Sequence, residues 1–267
     1  GEIYGFLGRN GAGKSTALRI IMGITHADSG DTELFGQVAG KNDPAPRQHI
    51  GYVAQEQHFY DWMSALELGK FVSGFYPAWD KAEYSKLLRS LDLPTDRKIR
   101  GFSGGMTAKL ALALALASKP RLLLLDEPTA GMDAVARREF LDIVREQAQR
   151  FGRTTLFSSH LIDEVELAAD KVGILDDGSM RFEGSLSSLQ RSARRFVMSA
   201  DESEDFSQPI DFSGQVIRDE VRRGRREVTV QNLGDETDVT TPPAGWQIEQ
   251  PTLEEIFIAM VSKTAAL

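Results

Sequence analysis

Gly-Arg-Asn-Gly-Ala-Gly-Lys-Ser-Thr, from Gly8 to Thr16, fits the spacing G-x-x-x-x-G-K-[ST], with Gly8, Gly13, Lys14 and Ser15 at the required places. Glycines let the backbone curl until successive amide N–H groups point inward. A helix that starts there adds unsatisfied donors and partial positive charge, so the stretch is suited to a polyphosphate. Lys14 can reach the β- and γ-phosphates, and the Ser15 hydroxyl can ligate the magnesium ion that bridges them. The nucleotide-binding set read here is Gly8, Asn10, Gly11, Gly13, Lys14, Ser15 and Thr16.

Four further groups have side chains that can act on a bound triphosphate. Asp126 and Glu127 follow four consecutive leucines, Leu122 to Leu125. At the carboxyl end of a strand, Asp126 can hold magnesium and Glu127 can polarise an attacking water. His160 follows the strand-like run Thr154 to Ser159, where it can hydrogen-bond the γ-phosphate or that water. Gln55 stands just beyond a second strand candidate, Ile50 to Ala54, on the side where α/β sheets place ligands. Ser103, Gly104 and Gly105 open a helix of leucine and alanine, giving a second anion-receptive helix start. Taken singly, each has an ordinary reading: a loop amide, an acidic turn, a capped helix. Their company with Lys14 and Ser15 favours the chemical one.

These residues need elements to position them. The run Ile3 to Leu7 reads as a strand leading into the phosphate loop, and Thr16 to Met22 as the helix after it. Short strands are expected at Thr32 to Phe35 and at Ile50 to Ala54. From Tyr60 to about residue 118 the pattern is helical. Leu66, Leu68, Phe71 and Val72, then Tyr84, Leu87, Leu88 and Leu91, are spaced for buried faces. The loop Gly74 to Asp80 carries aromatics that read as local core rather than a base-stacking platform. The helix Thr107 to Ser118 is apolar all round and should be buried, and Leu122 to Leu125 suits a central parallel strand covered on both faces. A helix from Ala134 to Arg150, the strand before His160, a helix from Leu161 to Ala169 and a hairpin around Asp177-Gly178 complete an alternating α/β pattern. Past Gln190 the character changes to short β-like runs, the acidic stretch Asp201 to Asp205, Arg222 to Arg226, Thr240 to Pro243 and a last helix from Leu253 to Ser262.

Composition narrows the classes. Of 267 residues, 31 are basic and 39 acidic, so a generic nucleic-acid footprint is not expected; Arg222, Arg223, Arg225 and Arg226 read as a solvated loop or hairpin tip rather than a binding patch. The absence of cysteine excludes disulfides and thiolate metal sites, and the four histidines have no metal-ligand spacing. The longest apolar run, Leu110 to Ala117, falls well short of the roughly 18 residues that cross a bilayer. Service to a membrane would then need a partner. The chain opens at Gly1, without Met and just ahead of the phosphate loop, which reads as a cropped start.

In this order, the motifs resemble the nucleotide-binding domain of ABC transporters over most of residues 1–190. Gly8 to Thr16 matches Walker A, Gln55 the Q-loop glutamine, and Phe102 to Met106 the signature usually written L-S-G-G-Q. Leu122 to Asp126 matches Walker B, Glu127 its catalytic glutamate, Ala130 to Asp133 the D-loop and His160 the switch histidine. The resemblance implies an α/β fold: a P-loop NTPase, RecA-like core with a parallel sheet and a helical subdomain inserted at about 60–118. A small α+β accessory region would follow at 191–267. It implies ATP and Mg2+ as ligands, with Ser15, Gln55 and Asp126 around the metal and Glu127, His160 and Gln55 as the catalytic set. Two such domains, identical or paralogous, would meet head to tail, with Ser103, Gly104 and Gly105 of one closing on the γ-phosphate held by the other. Their motion would pass to a transmembrane permease subunit, the dimer being peripheral on the cytoplasmic face of the cell membrane. The Phe75 to Asp80 loop and the ending Pro251 to Phe257 look like ATP-binding subunits of bacterial antibiotic or multidrug exporters. Phe102 and Met106 depart from the signature, but the phosphate-facing Ser103, Gly104 and Gly105 are kept. The family's first strands and adenine-stacking aromatic would lie upstream of Gly1.

Two other functions compete. A soluble ABC-type ATPase acting on ribosomes or nucleic acid would call for a second nucleotide-binding domain or long heptad repeats, and neither is present in this sequence. A low-turnover nucleotide-dependent regulator would have no need of both Glu127 and His160.

Overall fold

The computed structural model describes residues 1–40, 43–199, 214–222, 224–231 and 245–261. The chain divides into two compact units, Gly1–Ser179 and Met180–Leu267, the division falling somewhat ahead of the change in composition near Gln190.

The first unit is built on five parallel strands: β1 (Ile3–Gly8), β4 (Ile50–Val53), β5 (Leu122–Asp126), β6 (Thr154–Ser159) and β7 (Lys171–Asp176), side by side in the order β4-β5-β6-β1-β7. The leucines of β5 are covered on both faces, as a central parallel strand requires. Because β5, β6 and β1 are neighbours and run the same way, Asp126–Glu127, Ser159–His160 and the loop after Gly8 emerge together at one edge of the sheet. Helix α1 (Lys14–Ile21) follows that loop. It shares a core with Leu34, Ala39, Ile50 and Leu124, which draws in the two-stranded hairpin of β2 (Glu33–Leu34) and β3 (Gln37–Val38).

The inserted helices are α2 (Ala65–Ser73), α3 (Lys81–Ser90) and α4 (Gly104–Ala117), and each begins at a side-chain cap. Ser64 and Glu67 form a reciprocal capping box for α2; Asp80 caps α3 and Ser103 caps α4. Helix α4 is buried over most of its circumference, and the Tyr84 hydroxyl donates to Ala65 O at 2.7 Å, tying α3 to α2. Spacing overstates the burial of α2. Leu68 is inside, whereas Leu66 and Phe71 are exposed, because a single apolar stripe of this short helix finds a partner. In the aromatic loop, Trp79 packs on Tyr84, but Phe75 is exposed and meets Phe71 edge-on at 5.4 Å on the outward side. Helix α5 (Ala134–Phe151), capped by Asp133, and α6 (Ile162–Ala168) link the later strands. The turn after β7 uses Asp177 and Gly178 at φ 47° and 73° and leads into β8 (Ser179–Ser185).

In the second unit, α7 (Leu186–Ser192) leads to an antiparallel sheet of β9 (Ala193–Ser199), β10 (Gln215–Arg222), β11 (Arg225–Gln231) and β12 (Gln247–Glu249), ordered β10-β11-β9-β12. Phe196, Val228, Val230 and Trp246 form its core, and α8 (Leu253–Val261) ends the described chain. Of the basic run, Arg225 and Arg226 lie in β11, where Arg226 pairs with Asp219 of β10, and Arg225 with Glu227 and Glu249; Arg223 lies outside the described residues. Burial tends to raise the Glu255 carboxyl, but hydrogen bonds from Thr252 and the charge of Arg195 hold it below its ordinary range. Asp201 to Asp205, Thr240 to Pro243 and Ser262 lie outside the described residues.

Candidate active site

Strand β1 ends at Gly8, where an added Cβ would stand 2.6 Å from the Leu175 carbonyl oxygen, so a side chain does not fit. Gly13 sits at φ 106° and ψ 4°, a left-handed conformation suited to glycine, and no side chain caps the helix that starts after it. The first-turn N–H groups of α1 therefore remain available to a ligand. Lys14 is 4% exposed; its Nζ donates to Gly8 O at 2.8 Å and to Arg9 O at 3.1 Å. Asn10 and Gly11 lie within the loop, and Ser15 and Thr16 in the first turn of α1.

Across from Ser15 stands Asp126, fully buried at the end of β5. Its Oδ1 accepts from Ser15 Oγ and from Ser158 Oγ, each at 2.8 Å. The other oxygen, Oδ2, is buried without a hydrogen-bond partner among the described residues. A carboxylate with one orphaned buried oxygen beside a serine hydroxyl is a hard-oxygen donor set that fits Mg2+. Glu127 follows in the left-handed region at φ 44°, costly for a residue with a side chain, at about 1–3 kcal/mol. The conformation is held in part by its backbone N–H, which donates to Ser158 Oγ at 2.9 Å.

The Glu127 carboxylate is where the loops meet. Lys14 Nζ lies 3.3 Å from Oε1; His160 Nδ1 is 3.2 Å from Oε2, and Gln55 Nε2 donates to Oε2 at 3.4 Å. Phosphate loop, Gln55 and His160 thus converge on one carboxylate that is only 10% exposed. Such a group can take a proton from a water placed beside it, with a lysine cation next to it for phosphate charge.

Ser103, Gly104 and Gly105 are elsewhere. Ser103 Oγ accepts from Met106 N–H at 3.2 Å, space beside Gly104 is open, and no hydrogen bond among the described residues ties them to the phosphate loop. Ser158 is the group that motif reading passes over. It sits opposite Asp126 in the parallel register of β5 and β6, a hydroxyl within a buried strand, and pairing those two strands in sequence would have exposed it.

Residues 1–130 match the ABC transporter family. The chain is 36% identical over 201 residues to the ABC transporter ATP-binding protein YtrB of Bacillus subtilis, covering 75% of this chain and 68% of that one. It is 39% identical over 186 residues to the linearmycin resistance ATP-binding protein LnrL of the same organism, covering 67% and 59%. Among solved structures, the dimeric MJ0796, a bacterial ABC transporter cassette, superposes with a TM-score of 0.63 at 23% identity over 69% of this chain and 85% of that one, a likeness of fold.

Proposed function

The chain belongs to the ABC transporter family of ATP-binding proteins, and from that premise we propose that it hydrolyses ATP in a head-to-tail dimer to drive export through a separate membrane subunit. The observation that carries the catalytic part is the convergence of Lys14, Gln55 and His160 on Glu127, with Asp126 and Ser15 beside them.

When ATP enters, the N–H groups of the loop and of the first turn of α1 receive its phosphates. Lys14 then exchanges the Gly8 and Arg9 carbonyls and Glu127 for phosphate oxygens, which frees the Glu127 carboxylate. Glu127 orients water for in-line attack and accepts its proton, while His160 steadies the γ-phosphate side. Asp126, Ser15 and the amide oxygen of Gln55 would hold Mg2+, which neutralises charge on the phosphates. The buried Ser158 hydroxyl holds the Asp126 carboxylate and the Glu127 backbone in register.

Dimerisation draws support from the other helix start. Ser103 and Gly104 are exposed and Gly105 is half-buried beside them, where a second copy can bring its bound γ-phosphate against the backbone. The MJ0796 cassette is itself dimeric. Coupling to a permease draws on Gln55, whose loop borders a cleft of about 420 Å3 walled by Tyr52, Gln57, Phe59, Val72 and Leu114. No helix among the described residues is long and apolar enough to cross a membrane; peripheral attachment on the cytoplasmic face belongs to this reading and draws on the transporter relatives. Export, rather than import, follows the resistance relative LnrL.

Phosphate release from Mg-ATP tests the reading. The unaltered chain should turn over and Glu127→Gln should bind ATP without turning over; equal release by both would overturn the assignment of Glu127.

A further inference from the structure

Glu164 of α6 is a carboxylate only 2% exposed, and the catalytic account above makes no use of it. Its Oε1 accepts from Thr129 Oγ1 at 2.5 Å, and its Oε2 from Ser159 Oγ at 2.6 Å. Both hydroxyl residues are themselves buried. Arg137, in the first turn of α5, places Nε 3.3 Å from Oε1 and donates from Nη2 to Met132 O at 3.4 Å. One buried charge is therefore matched by one cation and occupied at both oxygens, which is how an interior carboxylate becomes tolerable.

The identity of these neighbours matters more than their number. Thr129 stands two residues after Glu127 on a turn closed by hydrogen bonds from Ala130 N–H to Glu127 O at 3.1 Å and from Met132 N–H to Thr129 O at 3.0 Å. Ser159 is the residue before His160, and its Oγ also accepts from Leu161 N–H at 2.9 Å. Behind the direct His160–Glu127 contact, then, lies a second bridge between the same two loops, and it passes through Glu164. We infer that Glu164 is a positioning residue: it fixes His160 relative to Glu127 and ties both to the segment Thr129 to Asp133. That segment begins at the catalytic carboxylate, so displacement there would reach His160 through Glu164.

This inference rests on the proposed roles of Glu127 and His160, and the experiment separates the two. Glu164→Gln keeps the side-chain size but removes the charge opposite Arg137 and one hydroxyl acceptor. In the full chain it should lower kcat by about tenfold, at the lower end of what outer-shell partners contribute, and leave KM for Mg-ATP within about twofold. In a His160→Ala background the same change should cost nothing further, since the effect runs through His160. An equal loss of kcat in both backgrounds, or a raised KM at unchanged kcat, overturns the inference. Hydrogen exchange on the nucleotide-free chain requires no turnover: Glu164→Gln should speed exchange in 129–133 and 159–162 together while leaving β1 unchanged. Exchange unchanged, or faster in one segment alone, overturns it even if the chain proves to hydrolyse no ATP. Should Glu164→Gln not fold, Thr129→Val takes its place, with Thr129→Ser, which retains the hydroxyl, restoring the rate. Full activity in Thr129→Val overturns the bridge.

Discussion

Helices α1 and α4 both begin at glycine-bearing turns, yet their first turns are built for different neighbours. At α1, Gly13 takes a left-handed conformation, no side chain caps the helix, and Lys14 is buried against two loop carbonyls and Glu127. Asp126 accepts from Ser15, and Gln55 and His160 meet Lys14's partner Glu127, so the side chains around that turn are answered from within the chain while its N–H groups stay open. At α4, Ser103 supplies an ordinary cap, the backbone is regular, and the space over Gly104 is open. A helix start becomes a site through what converges on it. By that measure the first is nearly complete in one copy of the chain, and in the proposed dimer the second would be met by a surface from another.

The largest effect should come from the converged site. Glu127→Gln removes the proposed proton acceptor and should slow phosphate release by about 10²–10⁴-fold with nucleotide affinity retained, read by turnover and equilibrium binding on the same preparation. Lys14→Ala leaves Glu127 buried without its cation; loss of one partner of a buried pair typically costs about 3–5 kcal/mol, and nucleotide affinity should collapse with it. Chemical denaturation without nucleotide and a binding titration measure the two losses, and unchanged stability would mean the pair is more solvated than its burial indicates.

Replacing glycine by alanine at the two starts should then give opposite signs. Gly13→Ala forces a side chain into the left-handed region and should destabilise by about 1–3 kcal/mol. Gly104→Ala, with open space and regular helix, should gain roughly 0.5–1 kcal/mol while weakening ATP-driven association. Equal melting shifts would erase the distinction between the turns.

The smallest effect belongs to a helix start with a cap and no chemistry. A hydrogen bond from Lys98, then the Ser64 backbone N–H, lowers Glu67 to about 2 from an ordinary 4.5. A depressed carboxylate contributes stability above its unfolded value and loses it as pH falls through the folded one. The melting advantage of the unaltered chain over Glu67→Gln should thus persist above pH 4.5 and fade towards pH 2. An advantage that survives at pH 2 would mean Glu67 acts through packing instead.

Much of this contrast is legible in sequence because phosphate binding constrains adjacent residues. Gly8 to Thr16 must be contiguous to form one loop, and Leu122 to Glu127 announces both a buried strand and the carboxylates at its end. Ser158 and Glu164 are silent for the opposite reason. Their roles depend on which strands are neighbours and on partners distant in sequence, Asp126 for Ser158 and Thr129 for Glu164, which periodicity does not report. The outward Leu66 and Phe71 mislead because helical spacing marks an apolar position without saying whether anything covers it. In the second unit, the run Arg222 to Arg226 reads as a solvated loop or hairpin tip, whereas Arg226 is largely buried against Asp219. One partner of Arg225, Glu249, comes from across the sheet and so is invisible until β9, β11 and β12 are paired.

The proposed dimer requires that the α4 start be completed by a second copy around ATP. The direct measurement is the solution mass of Glu127→Gln with and without Mg-ATP. A monomer that becomes a dimer with Mg-ATP, and fails to do so when Gly104→Asp places a carboxylate in the open space, is the predicted result. A chain that binds ATP and stays monomeric, or that dimerises equally well with Gly104→Asp, would contradict it.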